Sequence, residues 1–290
     1  MKLLLLGSRG QLGSDLVRAA AREDGFCVQG LDRSALDVRN AEKLRAALAE
    51  HSFDALVNCT SYHNTDEAES NAGLALSVNA HAVAVMAECC RRKRARFVHV
   101  STDYVFGGLP AKRPLTEDAP TAPLNIYGLS KSYGETLLRQ SGADALVLRV
   151  ASLFGAAGAQ SKGGNFVESM IRLGKERGAL RVVADQHMSP TSSADAAAML
   201  LGLLRKDAPP GIYHAVNSGQ ASWFEFAGEI LSRAGVAVEL SAISSGEYPT
   251  AARRPAYSVL CNAKLAAILG PPRPWQHALN DYLRARVAPC

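Results

Sequence analysis

The sequence predicts an α/β chain built on a doubly wound parallel sheet with a smaller C-terminal lobe. Short apolar runs alternate with helical spacing through the first half, and strands alternating with helices imply a parallel sheet with right-handed crossovers. A glycine-rich turn, Gly7-Ser8-Arg9-Gly10-Gln11-Leu12-Gly13, joins the first apolar run to the first helical pattern. After about residue 150 the rhythm loosens, and proline-containing segments separate the helical patterns.

In chain order, Leu3–Leu6 reads as a strand, Gln11–Glu23 as a helix, Cys27–Leu31 as a strand and Ala41–Glu50 as a helix. Ala55–Asn58 is a third strand, and alanine-rich Leu74–Arg92 has helical spacing. Arg96–Ser101 is a fourth strand, Tyr127–Gln140 a helix and Ala145–Val150 a fifth strand. Gly155–Gly164, rich in Gly, Ala and Ser, is expected to be a mobile loop. Helical patterns return at Phe166–Lys175, Ser193–Leu204 and Trp223–Ala234, separated by Ser189-Pro190-Thr191, Pro209-Pro210-Gly211 and Tyr248-Pro249.

Composition narrows the class. Of 290 residues, 48% are hydrophobic and 20% charged, so the chain can build a core. A net charge of +5 is too mild to mark a nucleic-acid binder, although it suits an anionic substrate. The basic run Arg91, Arg92, Lys93, Arg94 and Arg96 reads as a solvated helix end. Cysteines at 27, 59, 89, 90, 261 and 290 form no C-x-x-C pair and no zinc-like cluster, so no metal site is expected. Scattered thiols fit a reducing cytoplasm. The apolar start breaks at Gly7, too early for a signal peptide, and no run of about 18 apolar residues predicts a membrane span.

The glycine turn is the first element with chemistry. After a strand and before a helix, glycines permit a tight turn and close approach of backbone to a pyrophosphate, which the helix N-terminus then stabilises. The first half is therefore a Rossmann-type NAD(P)-binding domain, residues 1–150. Residues 151–290 are mainly a substrate-binding lobe, with some elements returning to the Rossmann core. The spacing G-x-x-G-x-x-G points to the short-chain dehydrogenases. Asp32, ending the second strand, is placed to bond an adenosine 2′-hydroxyl, whereas Arg9 and Arg33 suit a 2′-phosphate.

Tyr127 and Lys131, at i and i+4, share one helix face. A free tyrosine titrates near pH 10, and a neighbouring ammonium lowers that value towards useful acid–base chemistry. Thr102 ends the fourth strand, where ligands sit in open α/β sheets. Its hydroxyl either hydrogen-bonds a substrate carbonyl or merely caps the strand end; Asp103 beside it either joins the site or only orders the turn.

Together these residues resemble the extended short-chain dehydrogenases, and within them the dTDP-4-dehydrorhamnose reductase family. The resemblance spans nearly the whole chain. It rests on Gly7–Gly13, Asp66-Glu67-Ala68-Glu69, Ser101–Phe106, Pro123–Gly128, Asp185-Gln186 with Pro190-Thr191, and Ala252-Arg253-Arg254-Pro255. A tryptophan usual near Leu153 in that family is missing here.

The resemblance implies reduction of the 4-keto group of a dTDP-6-deoxy-L-hexulose by NADPH, with NADH also accepted. It implies Thr102, Tyr127 and Lys131 as the catalytic set. The cofactor set is Gly7, Arg9, Gly10, Gln11, Leu12, Gly13, Asp32, Arg33, Asp37, Val38, Cys59, Thr60, Ser61, Tyr127 and Lys131. The substrate set is Asp103, Tyr104, Val105, Phe106, Asn165, Gln186, Arg253 and Arg254. Asn79 either supports the active site, as the family's helix asparagine does, or is a surface polar residue. Of Arg253 and Arg254, on extended chain before Pro255, one is expected to face the cleft and the other to anchor the loop or flank the pyrophosphate. A cytoplasmic monomer or homodimer with a nucleotide-sugar substrate, binding neither nucleic acid nor membrane, follows. Alternatives on the same fold are a sugar-nucleotide epimerase or dehydratase and a non-catalytic regulatory subunit.

Overall fold

Leu3, Leu4, Leu5 and Leu6 are all buried, because the strand they form runs through the middle of a sheet covered on both faces. Leu3 and Leu5 face one apolar cluster, Leu4 and Leu6 the other. The structure, a computed structural model, describes residues 1–111, 113–157 and 164–287. Residues 158–163 of the expected Gly155–Gly164 loop, and Cys290, lie outside the described residues.

The elements follow in chain order: β1 (Lys2–Leu6), α1 (Gln11–Ala20), β2 (Cys27–Leu31), α2 (Ala41–Glu50), β3 (Ala55–Asn58), α3 (Thr65–Ser70), α4 (Ala72–Leu76), α5 (Ala82–Lys93) and β4 (Arg96–Thr102). Then come α6 (Ile126–Gln140), β5 (Ala145–Val150), β6 (Leu153–Phe154), α7 (Phe166–Glu176), β7 (Ala179–Val183), β8 (His187–Met188), β9 (Thr191–Ser192), α8 (Ser193–Arg205) and β10 (Gly211–His214). The chain ends with β11 (Ala221–Ser222), α9 (Trp223–Arg233), β12 (Glu239–Ile243), α10 (Ala263–Leu269) and α11 (Trp275–Val287).

The main sheet has the order β10-β5-β4-β3-β1-β2, and every neighbouring pair is parallel. Two of its parts come from beyond residue 150. Strand β10 pairs with β5, and α8 lies against α1 with Ala197, Leu200, Leu201 and Leu204 in the same cluster as Leu3 and Leu5. The opposite face is closed by Leu44 and Leu48 of α2 and Val83, Met86 and Cys90 of α5. A separate cluster joins Phe154, Val167, Ile171, Phe226, Ile230, Trp275 and Leu279, and a parallel pair β7–β12 lies beside it.

Two readings from sequence need correction. Pro209-Pro210-Gly211 is not just a separator but leads directly into β10, a strand too short to show a period. Leu74–Arg92 is not one regular helix: between α4 and α5 the chain widens into a π turn over Ser77–His81, which turns Asn79 inward. The helical stretch Ala72–Lys93 is long and apolar enough to cross a membrane, with mean hydropathy 1.4 over an 18-residue window, and half of that window is buried in this fold.

Candidate active site

The strand order reverses beside β1. The chain leaves β1 to form β2 on one side and then crosses to form β3 on the other. The carboxyl ends of β1 and β3 therefore bound the crevice where open α/β sheets bind ligands. Gly7 stands there with φ +81°, and a Cβ on it would lie 3.1 Å from the Cys59 carbonyl carbon. At Gly13 a Cβ would come within 2.2 Å of the Gly7 carbonyl oxygen, so α1 packs this close to the turn only with glycine. Gly10 begins α1 with no side-chain cap, which leaves the helix N-terminus open to an anion. These features fit a dinucleotide pyrophosphate.

A cavity of about 1030 Å³ opens from this turn. Its wall includes Gly7, Arg9, Gly10, Gln11, Leu12, Asp32, Arg33, Asp37, Val38, Cys59, Thr60 and Ser61 of the expected cofactor set. Gly13 lies behind the wall, against the Gly7 backbone. At the far end of β2, Asp32 accepts from the Ser34 hydroxyl and amide and from the Ala35 amide. Those bonds, the Ser34 hydroxyl foremost, hold its carboxyl below the ordinary range. Arg9 reaches across to it at 2.8 Å while remaining largely exposed.

Thr102, Tyr127 and Lys131 line the same cavity. Thr102 accepts from the Tyr104 amide at 3.2 Å and donates to Asp103 at 3.1 Å, so its hydroxyl does cap the turn after β4. Tyr127 opens α6, whose start is fixed by Asn125 accepting from the Gly128 amide and by Glu69 accepting from the Ile126 amide. Tyr104 meets Tyr127 edge-on, ring centres 5.9 Å apart.

The expected lowering of Tyr127 by Lys131 is not found in this state. Burial pushes the Tyr127 phenol up to about 12, only partly offset by hydrogen bonding with Thr102 and Ser61. The reason is where Lys131 points: its Nζ donates to the Val100 carbonyl at 2.6 Å and lies 3.3 Å from His99 Nε2. Burial brings Lys131 down to about 8, against the opposing pull of Glu135.

Within the expected substrate set, Asp103 and Tyr104 line the cavity. The Asp103 carboxyl is buried, accepts from Ser258 at 2.6 Å, and is pushed up to about 6 by desolvation. Asn165 also lines the cavity, but its amide is engaged within the protein: it caps α7 through the Glu168 amide and donates to the Gly155 carbonyl at 2.9 Å. Val105 and Phe106 belong to the core rather than the site, because the turn after Thr102 drives them into an apolar cluster with Ala151, Val216 and Leu260. Gln186 is half-buried and stands off the cavity wall.

Neither arginine of the Arg253-Arg254 pair reaches the cavity wall. Arg254 anchors the loop by pairing with Asp66, while Arg253 is exposed and its carbonyl accepts from Asn125. Asn79 is fully buried, not a surface residue: it accepts from the Tyr62 amide and the Ser61 hydroxyl and donates to the Tyr62 carbonyl and the Ser130 hydroxyl. It thus ties the loop after β3 to the helix that carries Tyr127 and Lys131.

Sequence reasoning missed the aromatic wall opposite. Phe166 and Trp223 each follow a helix-capping residue, Asn165 and Ser222, and their rings lie 4.7 Å apart on the cavity. A capping residue followed by an aromatic, twice, was the available signal. It also missed the buried pair Asn58 and His99 behind Lys131, which nothing in the spacing marks.

Comparison with known proteins agrees with this geometry. The family model described as the RmlD substrate binding domain matches residues 1–287. The dTDP-4-dehydrorhamnose reductase of Burkholderia thailandensis is 37% identical over 301 residues, covering 98% of this chain and 98% of that protein. A solved dTDP-4-dehydrorhamnose reductase from Clostridium acetobutylicum superposes with TM-score 0.92 at 32% identity, over 99% of this chain and 100% of that one. Another, from Bacillus anthracis in complex with NADP, gives TM-score 0.89 at 34% identity, over 98% and 99%. With its glycine turn, its Tyr–Lys pair and its full length matched, the chain belongs to the dTDP-4-dehydrorhamnose reductase family.

Proposed function

We propose that the chain is an NADPH-dependent oxidoreductase acting on the 4-keto group of a dTDP-linked deoxysugar, specifically dTDP-4-dehydro-L-rhamnose to dTDP-L-rhamnose, with NADH as a poorer substitute. The observation that carries this reading is the convergence of Thr102, Tyr127 and Lys131 on the cavity that also holds the glycine turn. The solved relative with NADP supports the cofactor, and the reductases among the relatives support the sugar.

The dinucleotide, when bound, supplies hydride to the keto carbon. Negative charge then develops on the keto oxygen, and Tyr127 donates its phenolic proton there. Thr102, at the strand end, offers its hydroxyl to the same oxygen. Lys131, turned to the cavity as an ammonium, brings the phenol down and holds ribose hydroxyls. Asp103 and Asn79 keep Thr102 and the Tyr127 helix in register through the hydrogen bonds described above. Phe166 and Trp223 supply an apolar face for the sugar nucleotide and help exclude water. Residues 1–150 carry the cofactor half and residues 151–290 most of the substrate half.

The test is nicotinamide oxidation, followed by absorbance, against a panel of 4-keto dTDP- and UDP-sugars. Turnover is expected with the dTDP-linked 6-deoxy-4-keto sugars and highest with dTDP-4-dehydro-L-rhamnose. A chain that binds NADPH but reduces none of the panel overturns the reading.

A further inference from the structure

Asn58, His99 and Lys131 form a buried file beneath the cavity floor, each at most 1% exposed. Asn58 Oδ1 accepts from the Thr60 amide at 3.0 Å and from the Thr60 hydroxyl at 2.6 Å. A backbone amide can only donate, so this end of the Asn58 side chain is the oxygen. The other end, Nδ2, is a donor, and it lies 3.2 Å from His99 Nδ1. His99 Nδ1 must therefore be the bare, accepting nitrogen. Burial keeps the ring neutral, far below the ordinary histidine range. A neutral ring carries one proton, so it sits on Nε2. That N–H faces Lys131 Nζ at 3.3 Å.

Two donors cannot bond to each other. An ammonium has three N–H groups and no lone pair; a neutral amine has one lone pair and can accept from His99 while donating to the Val100 carbonyl. Glu135 pulls Nζ towards the ammonium, but its carboxylate is already engaged and the pull does not offset burial. Glu135, one turn along α6, is held by Arg149 through Nε and Nη2 and by the Ser101 hydroxyl. Cys59, at the end of β3, is pushed up to about 12 and is a neutral thiol. Tyr127 is a neutral phenol, and the Asp103 carboxyl is taken by Ser258 and Thr102.

We propose that His99 is a positioning residue which parks Lys131 as a neutral amine in a large share of the cofactor-free protein at mildly alkaline pH, so that loading the site takes up protons from solvent at Nζ as the side chain leaves His99 for the cavity it lines. The resting state then holds Tyr127 as an inert phenol, and acid chemistry is switched on only with cofactor. The second half rests on the reductase reading above; the first half does not.

Two measurements decide it. Nitrogen-15 NMR of the histidine rings in the full chain is expected to show His99 as a neutral, Nε2-protonated ring across the neutral range. Its signal is the one lost in His99→Gln; if that variant does not fold, His214→Asn identifies the other deeply buried ring by elimination. An Nδ1-protonated or charged His99 overturns the proposal. Calorimetry of NADPH binding in buffers of different ionisation enthalpy, at about pH 8 where an ordinary lysine of pKa about 10.4 is fully charged, reads the proton. Uptake of about 0.5 proton per site is expected for wild type, falling towards zero in His99→Gln, whose amide oxygen accepts from an ammonium. Binding with no proton uptake in wild type also overturns it. A chain that binds no NADPH defeats the functional reading instead, and the His99 proton still decides whether Lys131 is parked as an amine.

Discussion

Arg254 grips Asp66 with both arms of its guanidinium, Nη1 to Oδ1 at 2.9 Å and Nη2 to Oδ2 at 2.6 Å, although 188 positions separate them in the chain. The Ala252 amide donates to the same carboxylate at 3.0 Å. The acidic helix α3 is thus the dock for the Ala-Arg-Arg-Pro loop. Arg254→Ala is expected to lower stability by about 1–2 kcal/mol, the range of charge-assisted bonds discounted for partial exposure. It should also raise KM for the nucleotide sugar more than KM for NADPH. Arg253→Ala should leave stability unchanged. Equal denaturation midpoints for both variants and wild type would mean that Asn125 and Ala252 hold the loop without the ion pair.

Tyr127→Phe removes only the phenolic oxygen. Loss of a positioned acid typically costs ~100- to 10,000-fold in rate, and kcat should fall in that range while NADPH affinity changes little. The measurement is kcat under saturating sugar beside Kd from nicotinamide fluorescence. Wild-type turnover in this variant removes Tyr127 from the mechanism.

Arg9 and Arg33 stand beside Asp32 at the end of β2. An arginine fork recognises a 2′-phosphate well, while a carboxylate repels it. Replacing both arginines with alanine should raise KM for NADPH by about tenfold or more, as for the loss of one or two charge-assisted bonds, with a smaller effect on NADH. Parallel changes with the two cofactors would show that neither arginine reads the phosphate.

Asp103 titrates at about 6 in the folded chain against an ordinary 3.8. A carboxyl raised on folding stabilises the fold fully below its unfolded value, and that contribution is lost as pH rises through the folded one. The whole loss amounts to about 3 kcal/mol by linkage, of which about 2 kcal/mol falls between pH 4 and pH 6. Asp103→Asn keeps the shape without the charge, so its stability relative to wild type should increase across that window. Urea denaturation at both ends of the window gives the difference; a constant difference would show that Asp103 stays ionised throughout.

Asn79 fills a fully buried position with hydrogen bonds to Ser61, Tyr62 and Ser130. Truncating it to alanine strands the Tyr62 amide and carbonyl, at about 2–4 kcal/mol. The thermal midpoint should drop by several degrees, and kcat should fall with it because the loop after β3 and helix α6 lose their tie. A normal midpoint would return Asn79 to the role of a dispensable polar residue.

Strands β1 and β3 were legible because buried parallel strands are written as apolar runs, whereas edge strand β2, Cys27-Val28-Gln29-Gly30-Leu31, is largely exposed and was legible from its place between two helical patterns. Strand β10 was not, since Gly211-Ile212-Tyr213-His214 is four residues at an edge, after two prolines. Gly7–Gly13, Thr102, Tyr127 and Lys131 were legible because backbone clearance and helical spacing restrict which residues can stand there. The direction of Lys131 was not: it depends on His99 and Asn58, which reach it only through strand pairing in register. Likewise Val105 and Phe106 sit next to site residues in sequence, and only the turn at Asp103 decides that they face inward.

The pairing of β10 with β5 sets an order of events during synthesis. When the ribosome has delivered residue 150, the Ala145–Val150 strand exists but its outer neighbour, Gly211–His214, is still untranslated. Helix α8, which covers Leu3, Leu5, Leu146 and Leu148, is missing as well. The nascent chain therefore carries an open strand edge and a bare apolar face until more than 60 further residues emerge, roughly 3–12 s at usual elongation rates. In that interval another chain's strand can add to the edge. Slow translation or a premature stop between β5 and β10 should thus yield aggregate rather than a soluble N-terminal fragment, and chaperone demand should concentrate on nascent chains of this length.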